Sequence, residues 1–286
     1  MENFSRVIFG KGKGGLAKIN IHTALSDAEI YLQGAHVTHF QRKDEPPLLF
    51  LSEQSKFQNG QAIRGGVPII FPWFGAREGK PMHGFARNQP WELTEISHHA
   101  DATTLVLALP ESSESAGFPK FTAQYLVTVG EKLSLELRIA NHSNETLAFE
   151  NCLHTYFTVA DINSIAVAGL KGAEFLDKVD NFARKRESND QIKITGETDR
   201  VYLSTTSTVE ILDSKLKRKI IVEKEGSSST VLWNPWIAKA KAMADFDDEE
   251  YLRTVCVESG NVSENKLTLP AGETASLKTI LSAAKI

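Results

Sequence analysis

The sequence has only two cysteines, Cys152 and Cys256, among its 286 residues. Two cysteines are too few for a disulfide framework, so a disulfide-stabilised secreted domain is not indicated. The sequence also lacks an apolar run near the roughly 18 residues of a membrane-spanning helix, and its first twenty residues contain no long apolar signal core. We therefore expect a cytoplasmic protein with no membrane partner.

An excess of positive charge is also missing. Lys and Arg number 32 against 36 Asp and Glu, which gives a formal net charge of −4 and no general attraction to nucleic acid. No glycine-rich phosphate loop followed by Lys-Ser/Thr is present, so nucleotide binding is not supported. Any anion site must therefore be a local cluster of cations.

Helical patterns are scarce, and the best short candidate is residues 236–246. Strand patterns dominate, with β-branched and aromatic residues in near alternation between polar and glycine-containing turns. Many short strands with frequent turns favour an all-β antiparallel sandwich or barrel over βαβ units. The segments concerned are 28–42, 103–109, 121–130, 132–141 and 206–214.

One pair of strands predicts a hairpin. FTAQYLVTV and KLSLELRIA are separated by Gly130 and Glu131, and leucines at 133, 135 and 137 should share one face. No repeat of fixed period, low-complexity tract or linker divides the chain. We therefore expect one large antiparallel β domain covering residues 1–286.

Two further strands each present one proton-transfer group. NCLHTYF (151–157) contains His154, and RTVCVESG (253–260) contains Glu258 among apolar neighbours. Burial there would raise the pKa of the glutamate toward the range useful for a general base. With a period of two, the residues that share a face are Cys152, His154 and Tyr156 in the first strand, and Cys256 and Glu258 in the second.

Two stretches combine cations with stiff aromatic sequence: IRGGVPIIFPWFG (63–75) and HGFARNQPW (83–91). Arg64 and Arg87 could bind an anion, because arginine forms bidentate hydrogen bonds to phosphate and keeps its charge. The alternative is structural: either arginine could pair with an internal carboxylate. The aromatic residues, Trp91 among them, could be walls of a binding site or plain core.

Other interpretations of the same residues remain open. A lone histidine in a strand is more often structural than catalytic. A Cys–His nucleophilic pair is conceivable, although residues two apart point along the strand rather than toward each other. The five residues Cys152, His154, Cys256, Glu258 and His83 could also be zinc ligands, but their spacing matches no well-known short zinc motif.

Taken in order, seven motifs resemble the hexose-6-phosphate mutarotases, or glucose-6-phosphate 1-epimerases, of the aldose 1-epimerase superfamily. They are IRGGVPIIFPWFG, HGFARNQPW, LHTYF, GLKGAEFLDKV, TDRVY, WNPW and VCVESG, and they run from about residue 30 to the C-terminus. The resemblance departs at Ile70 and Phe71, where relatives often have Cys and Trp, and at Ser259 and Gly260. Neither departure removes a proposed catalytic group.

The resemblance implies a large β-sandwich of the galactose-mutarotase type with few short helices. It also implies that His154 is an acid and Glu258 a base in the anomerisation of a hexose 6-phosphate, and we expect glucose 6-phosphate to be the substrate. The remaining substrate contacts it implies are Arg64, His83, Arg87 and Asp199.

The implied reaction needs no metal or organic cofactor, because two positioned proton transfers suffice. We expect a monomer whose partner is a small sugar phosphate. Two other classes stay open: a non-catalytic sugar-phosphate sensor on the same fold, and a zinc-dependent hydrolase.

Overall fold

The computed structural model describes residues 5–286, and β-strands dominate it. The strands are β1 (Arg6–Lys11), β2 (Ala17–His22), β3 (Ser26–Tyr31), β4 (His36–Arg42), β5 (Ile69–Ile70), β6 (Glu92–His98), β7 (Thr103–Ala108), β8 (Phe121–Val129), β9 (Leu133–Asn141), β10 (Leu147–Phe149), β11 (Asn151–Leu153), β12 (Tyr156–Thr158), β13 (Ile165–Ala168), β14 (Glu174–Asp177), β15 (Ala183–Arg186), β16 (Gln191–Ile192), β17 (Thr198–Tyr202), β18 (Val209–Asp213), β19 (Arg218–Glu225), β20 (Ser229–Asn234), β21 (Thr254–Asn261), β22 (Leu267–Leu269) and β23 (Thr274–Lys285).

Helical structure is brief. The α-helix α1 covers Trp236–Ala242. Single 3₁₀ turns lie at Lys13–Gly15, Ala86–Asn88, Ile162–Ser164, Lys178–Asp180, Glu250–Arg253 and Ser263–Asn265. Within residues 5–286, no helix has both the length and the apolar character that crossing a membrane would require.

Two large sheets form the body of the molecule. One has nine strands in the order β16-β13-β18-β19-β23-β9-β8-β7-β6, and the other has eight, in the order β15-β14-β17-β20-β21-β11-β5 with β12 also paired to β21. A four-stranded sheet, β1-β2-β3-β4, and the pair β10-β22 complete the fold. All pairings between these strands are antiparallel, so the predicted all-β antiparallel fold is confirmed.

The main core lies between the two large sheets. In β9, Leu133, Leu135 and Leu137 are fully buried and belong to this core, whereas Arg138 on the opposite face is exposed. Fully burying one such leucine contributes about 1.5–3 kcal/mol. The hairpin predicted between β8 and β9 is confirmed, with Val129 opposite Leu133.

Strand β21 has a different chemistry on each of its faces. Val255 and Val257 belong to the core between the sheets, while Cys256 packs in a second buried cluster and Glu258 lines a cavity. The alternation predicted for this strand is therefore confirmed, and it places Glu258 on the face away from the main core.

Two sequence predictions need correction. Segment 28–42 is two strands, β3 and β4, because the chain turns at Gly34 and Ala35, both with positive φ. The helix predicted for 236–246 ends at Ala242. Its last predicted residues form a turn instead, in which Asp245 pairs with Arg64 and Phe246 enters a buried cluster.

A third difference bears on the site. The strand predicted for 151–157 is interrupted at His154 and Thr155, which lie between β11 and β12. The backbone N–H of His154 bonds to the Pro68 carbonyl at 3.1 Å instead of joining a strand ladder. The predicted segments at 103–109, 121–130 and 132–141 coincide with β7, β8 and β9, and β18 lies within 206–214.

Candidate active site

One cavity of about 680 Å³ is lined by all six residues singled out from the sequence. Glu258 comes from β21, Asp199 from β17, and His154 from the break between β11 and β12. The other three residues come from loops on the same side of the eight-stranded sheet: Arg64, His83 and Arg87. Residues separated by almost two hundred positions in the sequence thus line one cavity, and its volume is usual for a small-ligand site.

His154 and Glu258 are in direct contact at the base of the cavity. Nδ1 of His154 lies 3.3 Å from Oε1 of Glu258, and both side chains are buried. The thiol of Cys152 donates to the other oxygen, Oε2, at 3.4 Å. An imidazole and a carboxyl group so placed could exchange protons with two neighbouring atoms of one ligand.

Burial sets the ionisation of this pair. It raises the pKa of Glu258 well above its ordinary value, and the nearby carboxylate of Asp199 adds to the rise. Burial lowers the pKa of His154 well below its ordinary value, with further lowering from His83, Arg87 and Arg64. The free site therefore favours the neutral forms of both groups.

The imidazole of His154 is held by aromatic rings. Tyr156 stacks on it with ring centres 4.7 Å apart and planes within 4°. Trp233 and His83 meet it edge-on, with centres 6.1 and 5.8 Å away. The ring is thus restrained in orientation, as a proton-transfer group requires.

The loop that carries Arg64 depends on its two glycines. Gly65 and Gly66 have φ values of 105° and 60°, and a Cβ at Gly66 would lie 2.3 Å from the Val37 carbonyl oxygen. His36, which is fully buried, donates from Nε2 to the Gly65 carbonyl at 2.7 Å. The tight turn of this loop therefore requires glycine at positions 65 and 66.

The guanidinium of Arg64 already has partners. Its Nη2 lies 3.2 Å from Oδ2 of Asp245, and its Nη1 donates to the Tyr156 hydroxyl at 2.9 Å. The structural alternative considered for this arginine, pairing with an internal carboxylate, thus describes part of its surroundings. The side chain still lines the cavity.

Arg87 is more deeply buried than Arg64, and its guanidinium has fewer hydrogen-bond partners. Its Nη2 donates to the Met82 carbonyl at 2.8 Å, while its Nε has no hydrogen-bond partner among residues 5–286. Burial lowers the pKa of Arg87 to about 10, and the positive charge of Arg64 lowers it further. A buried guanidinium with free donors is suited to an anionic ligand.

His83 presents a neutral donor to the cavity. Its Nδ1 accepts the Gly75 backbone N–H at 3.1 Å, so the ring proton resides on Nε2. Burial, aided by Arg87 and Lys178, lowers the pKa of His83 to about 2. The residue has a φ of 64°, in a region that histidine enters more readily than most residues.

Asp199 lies at the Glu258 side of the cavity with a lysine that the sequence did not single out. Lys178 Nζ is 2.9 Å from Asp199 Oδ2 and also lies over the ring of Phe74, 5.4 Å from its centre. Lys178 follows β14 within the GLKGAEFLDKV motif. The sequence alone did not indicate that its ammonium group lies in the cavity beside Asp199.

The aromatic residues of the cationic loops divide between core and cavity. Phe71, Trp73 and Trp91 belong to the main core. Phe74 lines the cavity instead, together with Trp233 of β20. Both interpretations of these aromatic residues are therefore correct, each for a different subset.

Three of the five residues considered as zinc ligands lie together. His154, Cys256 and Glu258 each offer one ligand atom, and these atoms lie within 4.8 Å of one another. Within residues 5–286, His83 and Cys152 are not part of that group. Burial raises the pKa of Cys256 well above its ordinary value, so the thiol keeps its proton when no metal is bound.

Comparison with known proteins identifies the family. The sequence model for aldose 1-epimerase matches residues 18–282, almost the whole chain. The chain belongs to the aldose 1-epimerase family. Two curated members are provisionally named glucose-6-phosphate 1-epimerase: one from Escherichia coli K12, 40% identical over 244 residues (84% of this chain, 81% of the relative), and one from Cenchrus ciliaris, 37% identical over 275 residues (92% and 83%).

The structure agrees with membership of the aldose 1-epimerase family. A solved structure of a provisionally assigned mutarotase from Salmonella typhimurium superposes with a TM-score of 0.88 at 33% identity, covering 95% of this chain and 91% of that one. The predicted galactose-mutarotase type of sandwich is thereby confirmed. As an aldose 1-epimerase family member, the protein is an isomerase that acts on carbohydrate.

Proposed function

We propose that this protein interconverts the α and β anomers of a hexose 6-phosphate, with glucose 6-phosphate as substrate, by acid–base ring opening and closure. The observation that carries the proposal is the contact of His154 with Glu258, 3.3 Å apart, in a cavity that also holds the buried Arg87 and the half-buried Arg64. The names of the relatives from Escherichia coli and Cenchrus ciliaris support the same substrate.

The reaction proceeds through the open-chain aldehyde. Glu258 removes the proton from the anomeric hydroxyl while His154 delivers one to the ring oxygen, and the bond from the anomeric carbon to that oxygen breaks. After rotation about the adjacent carbon–carbon bond, the two transfers run backward onto the other face of the carbonyl. Both groups end as they began, and each transfer contributes about 10²–10⁴ in rate.

The distribution of charge orients the sugar. Arg64 and Arg87 act on the ionisation of His154, whereas Asp199, Lys178 and also Arg87 act on Glu258. In a hexose the ring oxygen is bonded to C5, which carries C6, so a group on C6 lies on the side of the acid. We infer that Arg64, on the side of the acid, meets a 6-phosphate together with Arg87, and that Asp199 meets hydroxyls next to the anomeric carbon.

A bound phosphate also changes the ionisation of the acid. The cations that lower the pKa of His154 include Arg87 and Arg64. A phosphate dianion between them offsets their charge and favours the imidazolium that donates the proton. The phosphate thus contributes to turnover as well as to binding, and free glucose is expected to react more slowly even when saturating.

The decisive experiment is anomer-exchange NMR on glucose 6-phosphate and glucose, with and without the protein. We expect catalysed exchange of both sugars, with glucose 6-phosphate strongly preferred. Tight binding of glucose 6-phosphate without accelerated exchange would support the sensor instead. The family and its named members favour the enzyme over that alternative.

Location and assembly belong to the proposal as well. Both cysteines are free thiols, as a reducing compartment requires, which supports the cytoplasm. The monomeric state stays a prediction, to be checked by light scattering on the purified protein. The single domain over residues 1–286 is likewise a prediction, and its first four residues lie outside the described part of the chain.

A further inference from the structure

Tyr156 touches two functional parts of the cavity at once, although it is not among the six residues that the sequence singled out. Its ring lies parallel to the imidazole of His154, 4.7 Å away. Its hydroxyl accepts a hydrogen bond from Nη1 of Arg64 at 2.9 Å. The side chain thus joins the proposed acid to one of the two proposed phosphate ligands.

The backbone of Tyr156 strengthens the same connection. Its N–H donates to the carbonyl of Gly66 at 2.9 Å, and its carbonyl accepts the N–H of Phe50 at 3.0 Å. Gly66 is two residues after Arg64, and its own N–H bonds to the Phe50 carbonyl at 2.6 Å. The RGG loop and β12 are therefore fixed to each other by hydrogen bonds on both sides.

Dense packing leaves the tyrosine little freedom. It is 1% exposed and packs against Phe50, Trp233 and Cys256, with the Trp233 ring centre 5.9 Å away. Burial raises the pKa of the phenol, so the hydroxyl keeps its proton and accepts from Arg64 in the neutral form. A rigid ring of this kind transmits the position of one neighbour to the other.

We propose that Tyr156 is a positioning residue that couples phosphate recognition to proton transfer: its hydroxyl sets the guanidinium of Arg64, and its ring sets the imidazole of His154. The proposal rests on the proposed function and assigns separate roles to two parts of one side chain. Those roles predict different kinetic signatures, which a merely structural residue would not produce.

Tyr156→Phe removes the hydroxyl and keeps the ring. We expect KM for glucose 6-phosphate to rise roughly three- to tenfold, as for loss of one hydrogen bond, with kcat within about twofold of the wild type. Exchange of free glucose should be affected less than that of glucose 6-phosphate. An equal loss on both sugars, or a fall in kcat without a change in KM, would overturn the role given to the hydroxyl.

Tyr156→Leu removes the ring and keeps an apolar side chain. We expect kcat to fall at least about tenfold on both sugars, because the imidazole loses its parallel support. A folded Tyr156→Leu protein with the kcat of the wild type would overturn the role given to the ring. NMR relaxation should show faster motion of the His154 ring in this variant than in the wild type or in Tyr156→Phe.

Tyr125→Phe is the matched control. Tyr125 is also fully buried, but it lies in the main core, and its hydroxyl has no hydrogen-bond partner among residues 5–286. Its removal should change neither KM nor kcat. An effect equal to that of Tyr156→Phe would mean that any buried hydroxyl matters in the same way, and would refute the coupling.

Failure of the proposed function is recognised separately. It would show as absence of catalysed exchange by the wild type. In that case calorimetric binding of glucose 6-phosphate and the His154 signals still decide the proposal. Weaker binding in Tyr156→Phe and a more mobile His154 ring in Tyr156→Leu, measured by NMR relaxation, support it, whereas wild-type values in both variants overturn it.

Discussion

At the scale of single residues, the contact between His154 and Glu258 is the one on which the proposed chemistry depends. Burial favours the state in which the glutamate is protonated and the imidazole neutral. The reactive state has the proton on the imidazole and the charge on the carboxylate. Substrate binding must therefore stabilise an ion pair that the empty cavity disfavours.

We predict that His154→Ala and Glu258→Gln each reduce glucose 6-phosphate exchange by at least about a hundredfold without unfolding the protein, since each removes one proton transfer. If the two groups act as a unit, the double variant should be little worse than the poorer single variant. Exchange NMR with circular dichroism checks both statements. Near-normal exchange by folded Glu258→Gln would exclude it as the base.

A second prediction concerns the arginines. Replacing Arg64 or Arg87 with alanine should lower kcat/KM for glucose 6-phosphate about 10- to 100-fold relative to kcat/KM for free glucose. This factor corresponds to the loss of one hydrogen bond to a charged group. Lysine should restore only part of this, because it lacks the planar fork. The measurement is the ratio of kcat/KM for the two sugars.

The stability of each alanine variant shows whether its arginine binds phosphate or only pairs with an internal carboxylate. Arg64→Ala leaves Asp245 without its ion-pair partner, so some loss of stability is expected beside the loss of phosphate preference. Equal losses for both sugars in well-folded variants would remove the arginines from phosphate recognition. Asp245→Asn is the matched variant, since it breaks the ion pair and leaves the guanidinium in place.

The third prediction concerns the group of His154, Cys256 and Glu258. Activity should survive exhaustive treatment with EDTA, and metal analysis should find no stoichiometric zinc. The reason is that the proposed proton transfers use the histidine and glutamate directly. Activity that is lost with chelator and returns with zinc would make this group a metal site and overturn the mechanism.

Residue-level prediction from the sequence succeeded where alternation in strands fixed the face. The positions of Cys256 and Glu258 on one face of β21 followed from a period of two. The partners of Arg64 could not be predicted in the same way. Asp245 lies 181 residues farther along the chain, and pairings at that range depend on the tertiary fold.

At the scale of elements, the RGG loop is fixed by backbone sterics. We predict that Gly66→Ala destabilises the protein by at least about 2 kcal/mol more than Gly60→Ala, and that it lowers activity. Both glycines have positive φ, 60° and 76°, so both variants incur the roughly 1–2 kcal/mol of the left-handed region. Urea unfolding measures the difference.

The control works because the surroundings of the two glycines differ. A Cβ at Gly66 would lie 2.3 Å from the carbonyl oxygen of Val37, whereas one at Gly60 meets nothing within 4 Å. Equal destabilisation by both substitutions would show that the loop can move, and that the close approach is not required to hold Arg64.

Elements were predicted best where alternation was long and local. The hairpin of β8 and β9 has nine residues in each strand and a turn between them. Short or interrupted elements were predicted less well: β5 has two residues, and the strand expected at 151–157 breaks at His154. Such elements depend on contacts across the fold, which local pattern does not contain.

At the scale of the whole molecule, buried histidines make stability depend on pH. Burial lowers the pKa of His36 to about 4 and that of His83 to about 2. The unfolded chain therefore takes up protons below about pH 6.5 that the folded chain refuses. Stability contributed by these groups is complete above that pH and is lost as pH falls.

We predict that the free energy of unfolding decreases by about 1.4 kcal/mol per pH unit for each such histidine between about pH 6.5 and 4. Glu258, whose pKa is raised, acts in the opposite direction. Calorimetry at a series of pH values measures the slope of the free energy of unfolding against pH. His36→Gln should reduce this slope by the contribution of one histidine, about 1.4 kcal/mol per pH unit. An unchanged slope in that variant would contradict the assignment to His36.

The same scans test the predicted single domain. One cooperative transition is expected, because the main core extends across both large sheets. Two separated transitions would indicate that the chain contains two domains that unfold independently. The sequence supported one domain only through the lack of a linker.

Strand β23 is the last in the sequence, yet it lies in the interior of the nine-stranded sheet, between β19 and β9. It pairs over eight residues with each neighbour. While the chain is being synthesised, both neighbours must therefore present open edges until residues 274–285 leave the ribosome. Exposed edges invite intermolecular pairing, so the nascent protein has a period of aggregation risk in which chaperone protection is most useful.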